Sequence, residues 1–144
     1  MGNRAVITTS RALNVETSNE IGVYLHWNGG SDSVEAFLTY CKIKGYRSPE
    51  TDNYGWARLC QVIGNALGGT CSIGIDRCCN LDCNNWDNGV YIIENWEIVD
   101  RRFFNGAEQQ NYDLLEMLIS IDEEMPVKEQ VGKDSIEEYI KNHN

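Results

Sequence analysis

Four of the six cysteines lie close together in the segment GGTCSIGIDRCCNLDCNNWDNG, which spans residues 68–89. They are Cys71, Cys78, Cys79 and Cys83. Reduced cysteines that meet in space are soft ligands, and four thiolates suit a closed tetrahedral zinc site with Zn–S distances of about 2.3 Å. The turn-rich stretch NLDCNNWDNG can wrap around a metal ion. We therefore expect a structural zinc ion held by these four side chains.

Two other interpretations of these cysteines stay open. The spacing Cys-x6-Cys-Cys-x3-Cys is not that of paired Cys-x2-Cys knuckles, so the thiols could simply be small buried side chains. A disulfide framework is less favoured, because cytosolic thiols stay reduced and a bridge between the neighbours Cys78 and Cys79 is strained. Four thiolates leave no place for water on zinc, whereas three cysteines with water, joined by His26, would make a hydrolase site.

Catalytic patterns of other kinds are absent from the sequence. There is no Gly-x-Ser-x-Gly motif, which argues against a serine hydrolase. The glycines of GNALGGT (residues 64–70) lack the Gly-Lys-Ser/Thr of a phosphate-binding loop and end a helix instead of opening one. His26 is expected to be an ordinary strand histidine. We predict that the protein is not an enzyme.

The charge of the chain is strongly negative and unevenly distributed. The net charge is −10 and the sequence pI is about 4.5, which argues against direct binding of nucleic acid by a basic face. Between residues 113 and 138 only Lys128 and Lys133 oppose a run of acidic residues. This run is either a solubilising surface or a binding surface for a basic partner. Its members are Asp113, Glu116, Asp122, Glu123, Glu124, Glu129, Asp134, Glu137 and Glu138.

Hydrophobic periodicity predicts a mixed order of strands and helices. Strands are expected over residues 4–8, 21–27 and 89–99, the last one continuous or broken near Glu94-Asn95, with a short apolar piece at 73–75. Three helices carry apolar stripes at helical spacing, namely Val34, Phe37, Leu38 and Cys41, then Leu59, Val62, Ile63, Ala66 and Leu67, then Leu114, Leu115, Leu118 and Ile121.

This order predicts an α+β fold: a mainly antiparallel sheet of a few strands packed against about three helices, with a Cys-rich loop. We expect residues 1–126 to form one domain. Residues 127–144 would be an acidic C-terminal extension that can include a short helix. No apolar run approaches 18 residues and the N-terminus lacks a secretory h-region, so we expect a cytoplasmic protein.

Several long motifs carry a resemblance to a known family. GNRAVIT, GVYLHWNGG, SVEAFLTYC, YGWARLCQVIGN and DNGVYIIENWEIV together resemble a family of small proteins from prophages of Gram-positive bacteria, over residues 2 to about 125. Within such phage proteins the chain is similar to zinc-containing anti-CRISPR inhibitors. The resemblance implies that the protein binds the RNA-guided DNA nuclease of a type II CRISPR system in the host cytoplasm. From the negative charge and the lack of a long apolar run, we expect no direct contact with nucleic acid or with a membrane.

That nuclease holds its guide–target duplex in a positively charged channel, so the acidic run is expected to obstruct DNA loading. A second hypothesis is a phage sponge that binds a nucleotide immune signal. The only compact basic and aromatic candidates for such a pocket are Arg101, Arg102, Phe103 and Trp96.

Overall fold

The computed structural model describes residues 3–69, 72–104 and 112–143 of the chain. Its strands are β1 (Ala5–Thr8), β2 (Ile21–Leu25), β3 (Ile73–Arg77), β4 (Val90–Glu94) and β5 (Glu97–Arg102). Its helices are α1 (Ser31–Ile43), α2 (Tyr54–Ala66), α3 (Leu114–Glu123) and α4 (Lys133–Asn142). The predicted α+β class is confirmed, and α4 forms in the segment where the sequence allowed a short helix.

The strands form one open sheet in the order β3-β2-β1-β4-β5. Neighbours are antiparallel except β1 and β4, which run parallel and place Ile7 beside Tyr91. β4 and β5 form a hairpin whose turn residues, Asn95 and Trp96, have φ values of 52° and 62°. Positive φ at both positions is typical of the type I′ turn that matches the twist of a hairpin. The long apolar run 89–99 is therefore two strands.

Both faces of the sheet are covered, and β1 shows this most directly because all of its side chains are buried. Ala5 and Ile7 point to the side of the helices, whereas Val6 and Thr8 point to the opposite side. We call the first side the helix face. The second side, the loop face, is covered by residues 9–20 and 78–89, which place Val15, Cys78, Leu81 and Cys83 against the sheet.

The helix face is covered by the apolar stripes that the sequence predicted. Each helix contributes buried side chains, so α4 is part of the same core as the other three through Ile136. Burying each large aliphatic side chain stabilises the fold by about 1.5–3 kcal/mol. Among the described residues, none of the helices has the length and apolar character needed to cross a membrane. The central buried residues are Val34, Phe37, Leu38, Cys41, Leu59, Val62, Ile63, Leu118, Ile121 and Ile136.

A buried carboxylate connects three parts of the helix layer. Asp122 of α3 is 4% exposed and accepts a hydrogen bond of 2.5 Å from the Tyr40 hydroxyl of α1. It also accepts hydrogen bonds from the backbone N–H groups of Val131 and Gly132, at 2.9 and 3.0 Å, just before α4. Burial is the main cause that raises the pKa of Tyr40, and the hydrogen bond to Asp122 raises it further. This phenol therefore stays protonated at neutral pH. Asp122 thus links α1, α3 and the start of α4.

Candidate functional site

The Cys-rich segment lies across the loop face of the sheet. The backbone N–H groups of Cys78 and Cys79 donate to the carbonyls of Glu20 and Ser18, at 2.8 and 2.9 Å. The Cys78 thiol is 3.2 Å from the Thr8 hydroxyl, and the Cys83 thiol is 3.6 Å from the Cys78 carbonyl. Both thiols are buried among the apolar side chains of the loop face. Their position is that of small packing residues on the second face of the sheet.

Of the remaining two cysteines of the predicted zinc set, the structure describes Cys79. Cys79 is exposed, and its sulfur lies 3.7 Å from the Asn19 side-chain oxygen, outside the apolar cluster that holds Cys78 and Cys83. Cys71 is outside the described residues. Among the residues that the structure describes, no three or more His, Cys, Asp or Glu side chains are grouped so that they could hold a metal ion. Zinc held by all four cysteines stays a prediction.

Burial favours the neutral form of both thiols. Burial, together with the nearby Cys78, raises the pKa of Cys83 to about 12. Burial also raises the pKa of Cys78, although its hydrogen bond with Thr8 opposes this. A thiol must lose its proton before it can attack an electrophile or bind a metal. Zinc binding at Cys78 and Cys83 would therefore release protons and be strongly pH-dependent.

The nine acidic residues of the predicted binding run do not share one environment. Asp122 is buried, which corrects its assignment to the surface, because three donors from the protein replace its water. Glu129 is partly exposed and forms an ion pair of 3.4 Å with Lys44. The other seven are exposed. We call these seven the acidic surface, and they are Asp113, Glu116, Glu123, Glu124, Asp134, Glu137 and Glu138.

Part of the acidic surface is placed unfavourably for the stability of the chain. Asp113 is the N-cap of α3 and accepts from the Glu116 N–H at 3.2 Å, which is a stabilising position. Glu123 and Glu124 instead occupy the C-terminal end of α3, where the helix dipole is negative. A carboxylate at that end costs about 0.3–1 kcal/mol. Folding alone does not favour these two charges, whereas a basic partner would.

Between α3 and α4 the acidic surface borders a shallow groove of about 510 Å³. Leu115 and Ile140 line it with apolar side chains, and Glu137, Glu138 and Lys141 also line it, so two negative charges face one positive charge. Lys133 approaches Glu137 to only 4.0 Å, a distance at which an exposed pair contributes little. The groove combines apolar contact area with negative charge, which suits a protein partner that presents basic residues around an apolar side chain.

A second feature, which the sequence did not single out, is the loop of residues 82–89, the Trp86 loop. Its centre is Asn85, whose side chain is completely buried. The Asn85 amide donates to the carbonyls of Asp82 and Gly89, at 2.9 and 3.2 Å. Its oxygen accepts from the N–H groups of Asp87 and Gly89, at 3.1 and 3.0 Å. One side chain therefore organises the backbone of the whole loop.

This loop presents an aromatic side chain to solvent. Trp86 is 86% exposed and has a φ of +61°, a left-handed conformation that is rare for bulky residues. Trp86 is not among the candidate residues of the sequence analysis. The signal that could have distinguished it is its position inside an Asn- and Asp-rich turn, NNWDN, where the flanking residues are not apolar and cannot bury it.

The residues considered for catalysis or nucleotide binding do not meet in one site. His26 Nδ1 is 2.9 Å from the Tyr24 hydroxyl, and the His26 ring packs edge-on against Trp27. Trp96 is buried at the β4–β5 turn and donates to the Tyr46 carbonyl at 2.8 Å. The basic candidates lie at the other end of β5.

Those basic side chains are already engaged within the fold. The Arg101 guanidinium lies 4.0 Å from the ring centres of both Tyr91 and Phe104, so it is stacked between two aromatic rings. Arg102 forms an ion pair of 2.9 Å with Asp100 and donates to two backbone carbonyls. Together with the distant Trp96, these residues do not line a common pocket.

Comparison with known proteins finds no relative of this chain. No family model matches the chain, and neither the curated proteins nor the solved structures contain a match to it. The functional argument therefore depends on the chemistry of the described residues.

Proposed function

We propose that the protein is a phage-encoded anti-defence protein that binds the RNA-guided DNA nuclease of a type II CRISPR system and obstructs DNA loading. The observation that supports a binding role is the acidic surface, in which seven exposed carboxylates project from α3, α4 and their ends. The motifs quoted above suggest the nuclease as the partner. The protein acts by occupying a surface and carries out no reaction.

Charge complementarity gives this proposal its physical basis. A channel that holds nucleic-acid phosphates is rich in Lys and Arg, and the acidic surface presents the opposite charge. Complementary charges raise the association rate and fix the orientation of the two proteins. The unfavourable position of Glu123 and Glu124 at the end of α3 is understandable if their charge serves binding.

A charge-reversal experiment tests the proposal. Glu123, Glu124 and Glu138 are changed together to Lys, and inhibition of guided DNA cleavage by a purified type II nuclease is measured at physiological salt. We expect inhibition to weaken by about tenfold or more, because the long-range attraction is lost and like charges now face each other.

The matched control changes three exposed acidic residues away from α3 and α4, Glu16, Glu20 and Asp76, to Lys. It alters the net charge equally but leaves the acidic surface intact, so we expect nearly unchanged inhibition. Equal loss in both variants would mean that only the total charge matters. Full inhibition by the first variant would show that the acidic surface is not the binding surface.

Structural zinc on Cys71, Cys78, Cys79 and Cys83 is a separate proposal with its own test. We expect the native mass of freshly purified protein to exceed the chain mass by one zinc ion, which acid denaturation releases. A Cys78→Ser/Cys83→Ser double variant should lack the extra mass. A native mass equal to that of the chain, with all six thiols open to alkylation after unfolding, would contradict zinc binding.

A further inference from the structure

The Trp86 loop has features of a preformed binding element on the loop face, away from α3 and α4. The buried Asn85 side chain holds the loop backbone through four hydrogen bonds, so the exposed Trp86 indole is displayed from an ordered segment. A bulky residue in a left-handed conformation is destabilising and is concentrated at functional sites. Tryptophan is also among the residue types that contribute most to protein–protein binding.

The charged residues of the Trp86 loop indicate what kind of partner suits it. Asp82 and Asp87 belong to the same loop, and Asp87 directly follows Trp86. Arg4 lies between the two carboxylates, 3.0 Å from an oxygen of Asp87 and 3.8 Å from an oxygen of Asp82. One positive charge thus faces two negative ones, and the Asp82 side chain stays 54% exposed. The segment that displays Trp86 therefore keeps an excess of negative charge, with Asp82 four residues before the tryptophan.

We propose that the Trp86 loop binds an arginine or lysine side chain of a protein partner. The cation would lie over the indole ring, whose negative face attracts it, while the exposed Asp82 carboxylate accepts a hydrogen bond. Tryptophan is the strongest aromatic partner for a cation. Arginine suits the site best because its planar guanidinium can stack on the ring and pair with a carboxylate at the same time.

This inference is independent of the acidic surface. It applies to any protein that offers an exposed basic side chain, and it holds whether or not the nuclease is the partner. Since Trp86 and the acidic surface lie on different parts of the fold, each can be tested with the other left intact.

The test uses the full chain labelled with nitrogen-15 at the tryptophan indoles. The probe is the capped tripeptide acetyl-Gly-Arg-Gly-amide, and the control is the same peptide with citrulline, which has the shape of arginine without its charge. A Trp86→Phe variant assigns the Trp86 resonance. We expect the arginine peptide to shift the Trp86 indole signal progressively, while the buried Trp96 signal stays in place.

Two variants separate a local effect of Asp82 from an effect of total charge. Asp82→Asn should weaken the response to the arginine peptide about two- to fivefold, the range expected for loss of an exposed charge partner. Glu35→Gln, which removes an exposed charge on the helix face, should leave the response unchanged. An equal shift with the citrulline peptide would show stacking without charge recognition and overturn the proposal. A Trp86 signal that stays in place up to the highest concentration of arginine peptide would also overturn it, whether or not other signals move.

Discussion

The helix face and the loop face cover the same sheet by different physical means. On the helix face, apolar stripes of four helices pack against the sheet. The buried residues of each helix recur at helical spacing. On the loop face, a smaller apolar cluster is closed by irregular segments that polar side chains hold in place. Thr8 donates to the Ile21 carbonyl at 2.7 Å, and Ser10 donates to Ser18 at 2.8 Å.

The difference shows where this fold places exposed binding features. The regular helices carry the acidic surface on their outer sides, because a helix that buries one stripe exposes the opposite one. The loop face presents the exposed side chain of Trp86 from a loop that the buried Asn85 organises. A broad charged surface is suited to long-range attraction, whereas a displayed indole makes a short-range contact.

Gly89→Ala should give the largest effect and tests whether the two faces fold as one unit. Gly89 has a φ of +68°, and an added Cβ would lie 2.1 Å from the Arg102 carbonyl oxygen. We expect a loss of at least about 4 kcal/mol in chemical denaturation, because the backbone of β5 blocks the methyl group. Hydrogen exchange should then show both faces losing protection together, since β4 packs side chains on both.

The control for this prediction is Gly45→Ala after α1. Gly45 also has a positive φ, +74°, but an added Cβ there meets nothing within 4 Å. Only the cost of the left-handed conformation remains, about 1 kcal/mol. If Gly89→Ala destabilised the protein no more than Gly45→Ala does, the result would contradict the close contact between Gly89 and the backbone at the end of β5. Loss of protection on the loop face alone would mean that the two faces unfold separately.

Tyr40→Phe tests the polar connection inside the helix face. The variant removes the hydroxyl that donates to the buried Asp122 and keeps the aromatic ring. A hydrogen bond to a charged group contributes about 1.5–3 kcal/mol, so we expect a comparable loss of unfolding free energy. Chemical denaturation measures it, with Tyr54→Phe as an exposed control that should change nothing. Equal stability of the two variants would show that Asp122 does not depend on Tyr40.

In the metal-free protein, alkaline pH should weaken the loop face through its thiols, whereas bound zinc would hold Cys83 as a thiolate. The pKa of Cys83 is raised from 9.0 to about 12 in the folded protein, so the unfolded chain loses this proton first as pH rises. The stabilising contribution is therefore complete below pH 9 and is lost between pH 9 and about 12. Cys83→Ala should show a shallower decline of stability over this range than the wild type. Parallel pH profiles for the two proteins would contradict a buried neutral thiol.

Trp86→Gly should give the smallest effect, and one of opposite sign. Glycine adopts a positive φ without the penalty that tryptophan carries, although it also adds freedom to the unfolded chain. We expect a net gain of about 0.5 kcal/mol in unfolding free energy, while binding of the arginine peptide is lost. Trp96→Gly is the contrasting change. Because Trp96 is buried, loss of its side chain should destabilise the fold. A loss of stability in Trp86→Gly would mean that the indole supports the loop.

Helices and strands were predictable where one local pattern decided them. The stripes of α1 and α2 recur at helical spacing, and the alternation in IGVYLHW marks β2. A break in the run 89–99 could be placed near Glu94-Asn95. Whether the run forms one strand or two could not be decided from the sequence, because an Asn-Trp turn lacks the usual glycine. The partner of each strand was not predictable, since the parallel pair β1–β4 joins residues more than 80 positions apart.

The candidate sites show the same limit. Composition alone revealed the excess of acidic residues in the last quarter of the chain, but it could not separate Asp122 from Glu123. The former accepts hydrogen bonds from Tyr40 and from the loop before α4, whereas the latter faces solvent. The cysteine pattern likewise could not show that Cys78 and Cys83 are buried while Cys79 is exposed.

The amino-acid sequence by itself determined the α+β class, the helical stripes and the negative charge, because each depends on residue types and on spacing within one element. The tertiary structure alone decided which polar groups are buried, where Trp86 is displayed, and how the loops cover the second face of the sheet. The physical reason is that burial of Asp122 and Asn85 requires donors and acceptors at defined distances. For Asp122, the nearest of these donors comes from a helix 82 residues away in the chain.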